Sequence, residues 1–598
     1  MSQRYTVSKI LVSDTAPDKK FPLSDYVDNT IAQKLSVAEK ITQGLEDLGV
    51  VYAFGLMGGG MAHLWRALSN SNMQVLNFRH EGGAAFAACE AYFASGSPSV
   101  VFTTTGPGIT NTLTGLSAAR DEGAKVILLS ACTSPSQRGR RAIQETTIET
   151  LSGAGIFTSG SIFNYATIVE SEVQLPQIFR QLALGLAQPG GFIAHLSIPS
   201  NVQSILIDNL SLPQLDFSGF RITPSQLAIA KSIELLSSGP FAIWVGFGAR
   251  DAAEEIRQLA EKTGAAVMCS PRGKGIFPED HHQFVGVTGW GGQASVITYM
   301  QEQTPLHTLV LGTRLGEATS FWRPEMVPPG GFVHVDINPS VPGMTYPQAS
   351  SFPVISDIKA FVKELLKQWP DTLIPVKSLS LPNIERKAIE PSTDNLVRPE
   401  ILLEAIQKVI VEGSDAIVIS EAGNSFIWAN HLLRFSQPNR YRVSTGIAAM
   451  GQAVTGVVGA ALAHQGKAVA IVGDGAMLMN NEISTAVRYK IPAVWIVLND
   501  ACYNMCHQGM TMLGFKGADA TIPQTDFVMI ARGMGAEGIR VSRESELVAA
   551  LEQARASNTP FVVDVAIDPN QYAPSQGRNQ MPISETQSSA AQSLTNFR

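Results

Sequence analysis

Residues 471–500 read IVGDGAMLMNNEISTAVRYKIPAVWIVLND. One apolar strand ends at Gly473-Asp474-Gly475 and a second ends at Asn499-Asp500. In an open α/β sheet, ligands sit beyond the carboxyl ends of the strands, so this spacing puts Asp474 and Asp500 at one rim of one site. Two hard oxygen donors there, beside glycine that lets backbone approach closely, suit Mg²⁺ bridging a diphosphate. Asp474 and Asn499 are equally good turn and cap residues after strands, and a lone Gly-Asp-Gly does not decide between the two roles.

Working outward, the same alternation of strand and helix patterns runs through most of the chain. VAEKITQGLEDLG has helical spacing, VVYAFGL reads as a strand, MGGG as a turn, MAHLWRALSN as a helix and MQVLNF as a strand. Strands alternating with helices imply parallel sheets covered on both faces. The expected fold is α/β, with three doubly wound parallel-sheet domains at 35–200, 221–380 and 398–575. Pro/Ser/Leu-rich linkers at 201–220 and 381–397 separate them, between a polar extension at 1–34 and a polar tail at 576–598.

A length of 598 residues fits several domains, and a 45% hydrophobic, 16% charged composition is globular. The formal charge of −7 and the pI near 5.9 leave no electrostatic footprint for nucleic acid or an anionic membrane surface. Five cysteines form no disulfide framework. The opening MSQRYTVSKILVSDTAPDKK has neither the basic nor the apolar region of a signal peptide, so a cytoplasmic protein is expected.

Segment 471–500 resembles the diphosphate-binding motif of thiamine-diphosphate enzymes, which runs from Gly-Asp-Gly to an Asn-Asn pair. Asp500 replaces the second Asn and keeps an oxygen ligand. The resemblance implies that Asp474, Asp500 and the main-chain carbonyl of Cys502 hold the metal. Thiamine chemistry also needs a carboxyl group hydrogen-bonded to N1′ of the aminopyrimidine, to favour the imino tautomer that deprotonates C2. RHEGGAAFAACEAYFASG offers Glu81, which follows a strand and opens a helix, where an acid also suits the helix dipole.

Glu81 and its flanks resemble the acetolactate synthase family. The likeness extends through FGLMGGG (54–60), TTTGPGITNTLTGL (103–116), Gln144-Glu145, FIAHLSIPSNVQ (192–203), PRGKGIFPEDHHQFVGVTGWGG (271–292), STGIAAMGQAVTG (444–456) and DFVMIARGMGAEGIRV (526–541). It implies that Gly58, Gly59 and Gln144 lie near the reacting carbon, with backbone N–H groups as oxyanion donors. Met450 becomes the apolar wedge under the cofactor, although such a residue is also at home in a core. Pro107, Asn111, Gly473, Gly475, Ala476 and Met505 join the cofactor site. Active sites formed between subunits follow, hence a homodimer or a dimer of dimers acting on small-molecule 2-keto acids.

Departures from the family carry their own expectations. Gly509 stands where the synthases place a Trp, and Ile143 stands where a Phe precedes the Gln-Glu pair, so the substrate pocket lined by Ile143, Met505 and Gly509 is expected to be enlarged. LGTRLGEATSFW replaces the run associated with the flavin, so FAD is expected to be absent. The implied activity decarboxylates one 2-keto acid and joins the acyl unit to a second. Bulky or aromatic acids such as indole-3-pyruvate and 4-hydroxyphenylpyruvate are the expected substrates. The alternatives are an acetolactate synthase acting on pyruvate and a flavin-dependent 2-keto acid oxidase. His281-His282 is read as a surface or capping pair, and Cys502 with Cys506 as packing residues.

Overall fold

The computed structural model describes residues 34–574 apart from 152–154, 208–211, 213–220, 372–380, 383, 385–395, 516 and 518. The extension at 1–33, most of both linkers and the tail lie outside the described residues.

Three six-stranded sheets, each parallel throughout, follow one another along the chain. In the first, the strands run in the order Gln74–Asn77, Tyr52–Leu56, Ser99–Thr103, Lys125–Cys132, Phe192–Pro199 and Tyr165–Ile168. The central sheet runs Phe284–Val287, Ala266–Cys269, Phe241–Val245, His307–Leu311, Phe332–Asp336 and Ser351–Ile355. The third runs Tyr441–Val443, Ile417–Ser420, Ala468–Gly473, Ala493–Asn499, Phe561–Ala566 and Glu537–Val541. Counted in chain order within each unit, the first and third sheets share the order 2-1-3-4-6-5, whereas the central sheet is 3-2-1-4-5-6, the dinucleotide-fold order.

The shared order gives the first and third units matching helices after their second strands, Glu81–Ser95 and Gln452–His464, and these pack on each other. Their sequences explain this. EGGAAFAACEAYFAS and QAVTGVVGAALAH are apolar on nearly every face, because each lies between its own sheet and the other helix. Small residues let the backbones approach: a Cβ added at Gly459 would lie 2.1 Å from the Ala87 carbonyl oxygen.

A buried ionic junction ties the three units together. Arg442 of the third donates from Nε to Glu90 Oε2 (2.9 Å) and from Nη2 to Glu122 Oε2 (3.3 Å) of the first, and Arg272 of the central unit also reaches Glu122 (2.7 Å). The Arg442 guanidinium lies 3.8 Å from the centre of the Phe93 ring. Among the described residues no helix is long and apolar enough to cross a membrane.

Candidate active site

Strands Ala468–Gly473 and Ala493–Asn499 are neighbours, with Gly473 opposite Leu498, so both acidic termini fall at the same sheet edge. Gly475 N–H donates to Asp474 Oδ1 at 2.7 Å, and the amides of Ala501 and Cys502 also face this carboxyl. Oδ2 of Asp474 is buried and has no hydrogen-bond partner among the described residues. Burial, and then the charge of Asp500, push Asp474 up to about 6. Burial also raises Asp500, whose Oδ2 accepts from Asn504 Nδ2 at 2.7 Å. Two close carboxyl groups, one with a buried oxygen lacking a donor, form a donor set that fits a divalent cation. Gly475 is required by its surroundings, since a Cβ there would lie 2.4 Å from the Tyr503 ring. Gly473 stands open, and Ala476 is buried in the turn beyond Asp474.

At the first unit's matching edge, His80 caps the helix that begins at Glu81 by accepting from Gly82 N–H through Nδ1 (3.1 Å). Glu81 is buried, and its Oε2 accepts from Asn111 Nδ2 at 3.0 Å. Asn111 belongs to the helix Pro107–Glu122, which starts after Gly106 with a φ of 57° that favours glycine. The loop before that helix gathers the other expected residues. Thr105 Oγ1 donates to Gln144 Oε1 (3.0 Å), Gly106 N–H donates to Thr146 Oγ1 (2.6 Å), and Gly58 lies against Thr104 so closely that a Cβ there would be 2.5 Å from its side chain. Gly59 opens the short helical turn after Gly58. The structure therefore brings Glu81, Asn111, Pro107, Gln144, Gly58 and Gly59 together on one unit, and Asp474, Asp500, Cys502, Gly473, Gly475 and Ala476 together on another.

Comparison with known proteins gives this pair of edges its family. Residues 35–151 match the N-terminal TPP binding domain of thiamine pyrophosphate enzymes, 229–365 match the central domain and 421–565 match the C-terminal TPP binding domain. The chain belongs to the thiamine-pyrophosphate-dependent, acetolactate synthase-like enzymes. It is 27% identical over 565 residues to a probable acetolactate synthase large subunit of Methanocaldococcus jannaschii, covering 90% of this chain and 93% of that one. It is 28% identical over 562 residues to the acetolactate synthase of Mycobacterium bovis, covering 90% and 88%. It is 26% identical over 593 residues to the acetolactate synthase large subunit of Haemophilus influenzae, covering 93% and 99%.

In this thiamine pyrophosphate enzyme the residues expected to line the substrate pocket, and the expected wedge Met450, divide by exposure. Ile143 is 94% exposed, Met450 is 49% exposed, Met505 is half-buried against the third unit's core and Gly509 is buried on the helix Asn504–Met512. One expectation is corrected: Cys506 is exposed and Cys502 only partly covered, so neither is a core packing residue; the helix Asn504–Met512 buries Asn504, Gln508 and Gly509 and turns Cys506 outward. His281 and His282 stack at 4.4 Å between centroids, and His281 Nδ1 accepts from Gln283 N–H as a turn cap.

Two buried carboxyl groups escaped the sequence reading. Oε1 of Glu482 accepts from Arg79 N–H and His80 N–H, both at 3.1 Å, so the third unit grips the two residues that precede Glu81. Burial pushes Glu482 up to about 7. Glu421 is likewise pushed up to about 7 by burial, and it accepts backbone amides at the start of the helix Gln452–His464. Glu482 lies in the 471–500 stretch and Glu421 just past the strand Ile417–Ser420, but a single glutamate there carries no pattern that separates it from a helix-turn acid.

Proposed function

We propose that the enzyme decarboxylates one 2-keto acid and joins the acyl unit to the carbonyl of a second, in a homo-oligomer whose active sites lie between subunits. One observation carries this reading: buried Asp474, whose Oδ2 has no partner among the described residues, sits beside half-buried Asp500 on the thiamine-binding C-terminal unit, while a buried carboxyl tethered by Asn111 stands at the start of a helix in the N-terminal unit. Bound thiamine diphosphate supplies the electron sink that stabilises the carbanion left when CO₂ departs.

The chain's own groups do the rest. Asp474, Asp500 and the Cys502 carbonyl would hold Mg²⁺ against the diphosphate, with the glycines on either side of Asp474 giving it access. Glu81, oriented through Asn111, would hold a proton at N1′ of the aminopyrimidine. Gln144, held by Thr105, and the amides around Gly58 and Gly59 would orient the keto acid and receive negative charge on its oxygen. Met450 would pack beneath the cofactor.

A flavin is left out of this reading, and two features at the central sheet's switch point support that. The amides of Gly246 and Gly248 donate to the carbonyls of Leu311 and Gly312, and Arg314 is paired with Asp121 at 2.7 Å. No step proposed here uses a flavin. A roomy acceptor side, suited to aromatic keto acids such as indole-3-pyruvate and 4-hydroxyphenylpyruvate, is supported by residue size: Gly509 adds no side chain to the buried face of its helix. The acetolactate synthases it resembles favour a second reading, condensation of pyruvate to acetolactate.

Mass spectrometry of products from a matrix of paired 2-keto acids, with thiamine diphosphate and Mg²⁺ supplied, separates these readings. Mixed acyloin-type products from aromatic acids support the roomy pocket, and acetolactate from pyruvate alone removes it. Oxygen consumption without ligation would replace both readings with an oxidase. Turnover unchanged in Glu81→Gln would remove the role assigned to that carboxyl.

A further inference from the structure

Glu421 follows the strand Ile417–Ser420 and is 1% exposed. Its Oε2 accepts three amides, from Gly451 (3.2 Å), Ala453 (3.0 Å) and Val454 (3.1 Å), while Oε1 accepts from Ala422 N–H (3.1 Å). The first amides of a helix have no partner within it, and the helix Gln452–His464 has no capping side chain of its own, since Gly451 occupies that position. Glu421 supplies the cap from a different strand. A carboxylate that accepts several amides at a helix start is a charge-assisted, geometrically restrictive contact.

The capped amides adjoin an unusual turn. Ala448 has a φ of 47° and Gly451 a φ of 95°, and between them Met450 extends a half-exposed side chain. Before Gly451 the turn is held by longer contacts, Ala448 N–H to Ser444 Oγ at 3.3 Å and Gln452 N–H to Ala449 O at 3.4 Å, whereas the Gly451 carbonyl accepts from Thr455 Oγ1 at 2.7 Å on the helix side. Beyond Gly451, by contrast, the helix is buried against the Glu81 helix. The carboxyl of Glu421 thus fixes the junction between a rigid helix and the loosely held turn that carries Met450.

We propose that Glu421 is a positioning residue for Met450, holding the left-handed turn so that the side chain stands at a set height and direction beneath the cofactor. This rests on the role given to Met450 above. Loss of the acceptor leaves three buried amides at the helix start unpaired, and they regain partners by rotation of the turn, which moves Met450. Gln at this position keeps a carbonyl oxygen for the same amides. Asp is one methylene shorter and draws that oxygen away from them.

The test compares Glu421→Ala, Glu421→Gln, Met450→Ala and the Glu421→Ala/Met450→Ala pair in the full chain. The readouts are amide hydrogen exchange over residues 446–454 without cofactor, thiamine diphosphate affinity by fluorescence titration, and hydrogen–deuterium exchange at the thiazolium C2 at saturating cofactor. Glu421→Ala is expected to lose amide protection in that segment and to slow C2 exchange by about tenfold or more, the scale of a displaced contact in a pre-organised site, with affinity changed by no more than about threefold. Glu421→Gln is expected to recover most of the rate, and the double variant to be no slower than Met450→Ala. If Glu421→Ala fails to fold, Glu421→Asp replaces it with the same expected slowing. Met450→Ala slow and the Glu421 variant at the wild-type rate overturns this inference alone, as does a double variant whose losses multiply. Met450→Ala at the wild-type rate removes the wedge role itself and the inference with it.

Discussion

Replacing Asp474 by Asn should stabilise the protein without metal and weaken it with metal. Asp474 is buried beside Asp500, and its pKa is raised from 3.8 to about 6. A shift of about two units corresponds to roughly 3 kcal/mol of preference for the neutral form, as an order of magnitude. The folded-state value lies above the unfolded one, so this carboxyl contributes most to stability below about pH 4, and the contribution disappears as pH rises through about 6. At pH 7.5 the metal-free wild type therefore carries a buried charge opposed by its neighbour. Asn removes that charge, keeps an oxygen for the Gly475 amide and offers an N–H to Asp500.

Thermal melts of the full chain between pH 5 and 8, in chelator or in saturating Mg²⁺ and thiamine diphosphate, check this. Metal-free Asp474→Asn should melt a few degrees above wild type at pH 7.5 and lose that advantage towards pH 5. With metal and cofactor the order should invert, because wild type gains the binding free energy that the variant forfeits. A metal-free variant that melts below wild type at pH 7.5, or a wild type indifferent to metal, would refute the electrostatic reasoning.

If active sites form between subunits, co-refolding inactive Glu81→Gln with inactive Asp474→Asn should restore a fraction of wild-type turnover, since one of the two sites in a mixed dimer keeps both native residues; no recovery would place both groups of a site on one chain. Gly459→Ala forces a methyl against the Ala87 carbonyl and should cost about 1–3 kcal/mol by separating the two central helices, read by chemical denaturation. Glu482, raised to about 7, contributes stability that is present below about pH 4.5 and lost as pH rises through 7, so Glu482→Gln should flatten the fall in melting temperature between pH 5 and 8. Gly509→Trp should shift product formation from bulky towards small keto acids in the substrate matrix, and an unchanged product ratio would take Gly509 out of the pocket.

The inner strands of all three sheets were legible because burial on both faces writes a continuous apolar run, as in AVAIVG and AVWIVLN. The strands that the sequence hid are Tyr165–Ile168, Phe284–Val287, Ser351–Ile355, Tyr441–Val443 and Glu537–Val541, and each lies at a sheet edge. Edge strands are paired on one side only, so SFPVI can include a proline and EGIRV can be largely polar. The site divides in the same way. Asp474 and Glu81 stand out because strand ends and glycines frame them, whereas Glu421 and Glu482 act through backbone amides remote in sequence, Gly451 to Val454 and Arg79 to His80. Such partners leave no residue pattern to read, since every residue but proline presents the same N–H.

The common strand order of the first and third units explains how one scaffold supplies two unlike halves of a site. After the second strand the first unit starts a helix with Glu81, and the third starts one with Gln452 just beyond Met450; after the third strand the first unit has the Thr104–Gly106 loop, and the third has Asp474. Equivalent edges thus carry a carboxyl with its amide tether in one unit and, in the other, the acidic pair proposed to hold the metal together with an apolar side chain. Each is also steadied from outside its own helix, Glu482 gripping the amides before Glu81 and Glu421 the amides after Met450. Glu482 follows Asp474 in one turn-and-helix segment, so the turn proposed to hold the metal and the start of the Glu81 helix are joined through a short stretch of backbone. Metal binding at Asp474 should therefore alter amide protection at Arg79 and His80 in wild type and leave it unaltered in Glu482→Ala, where the grip is gone.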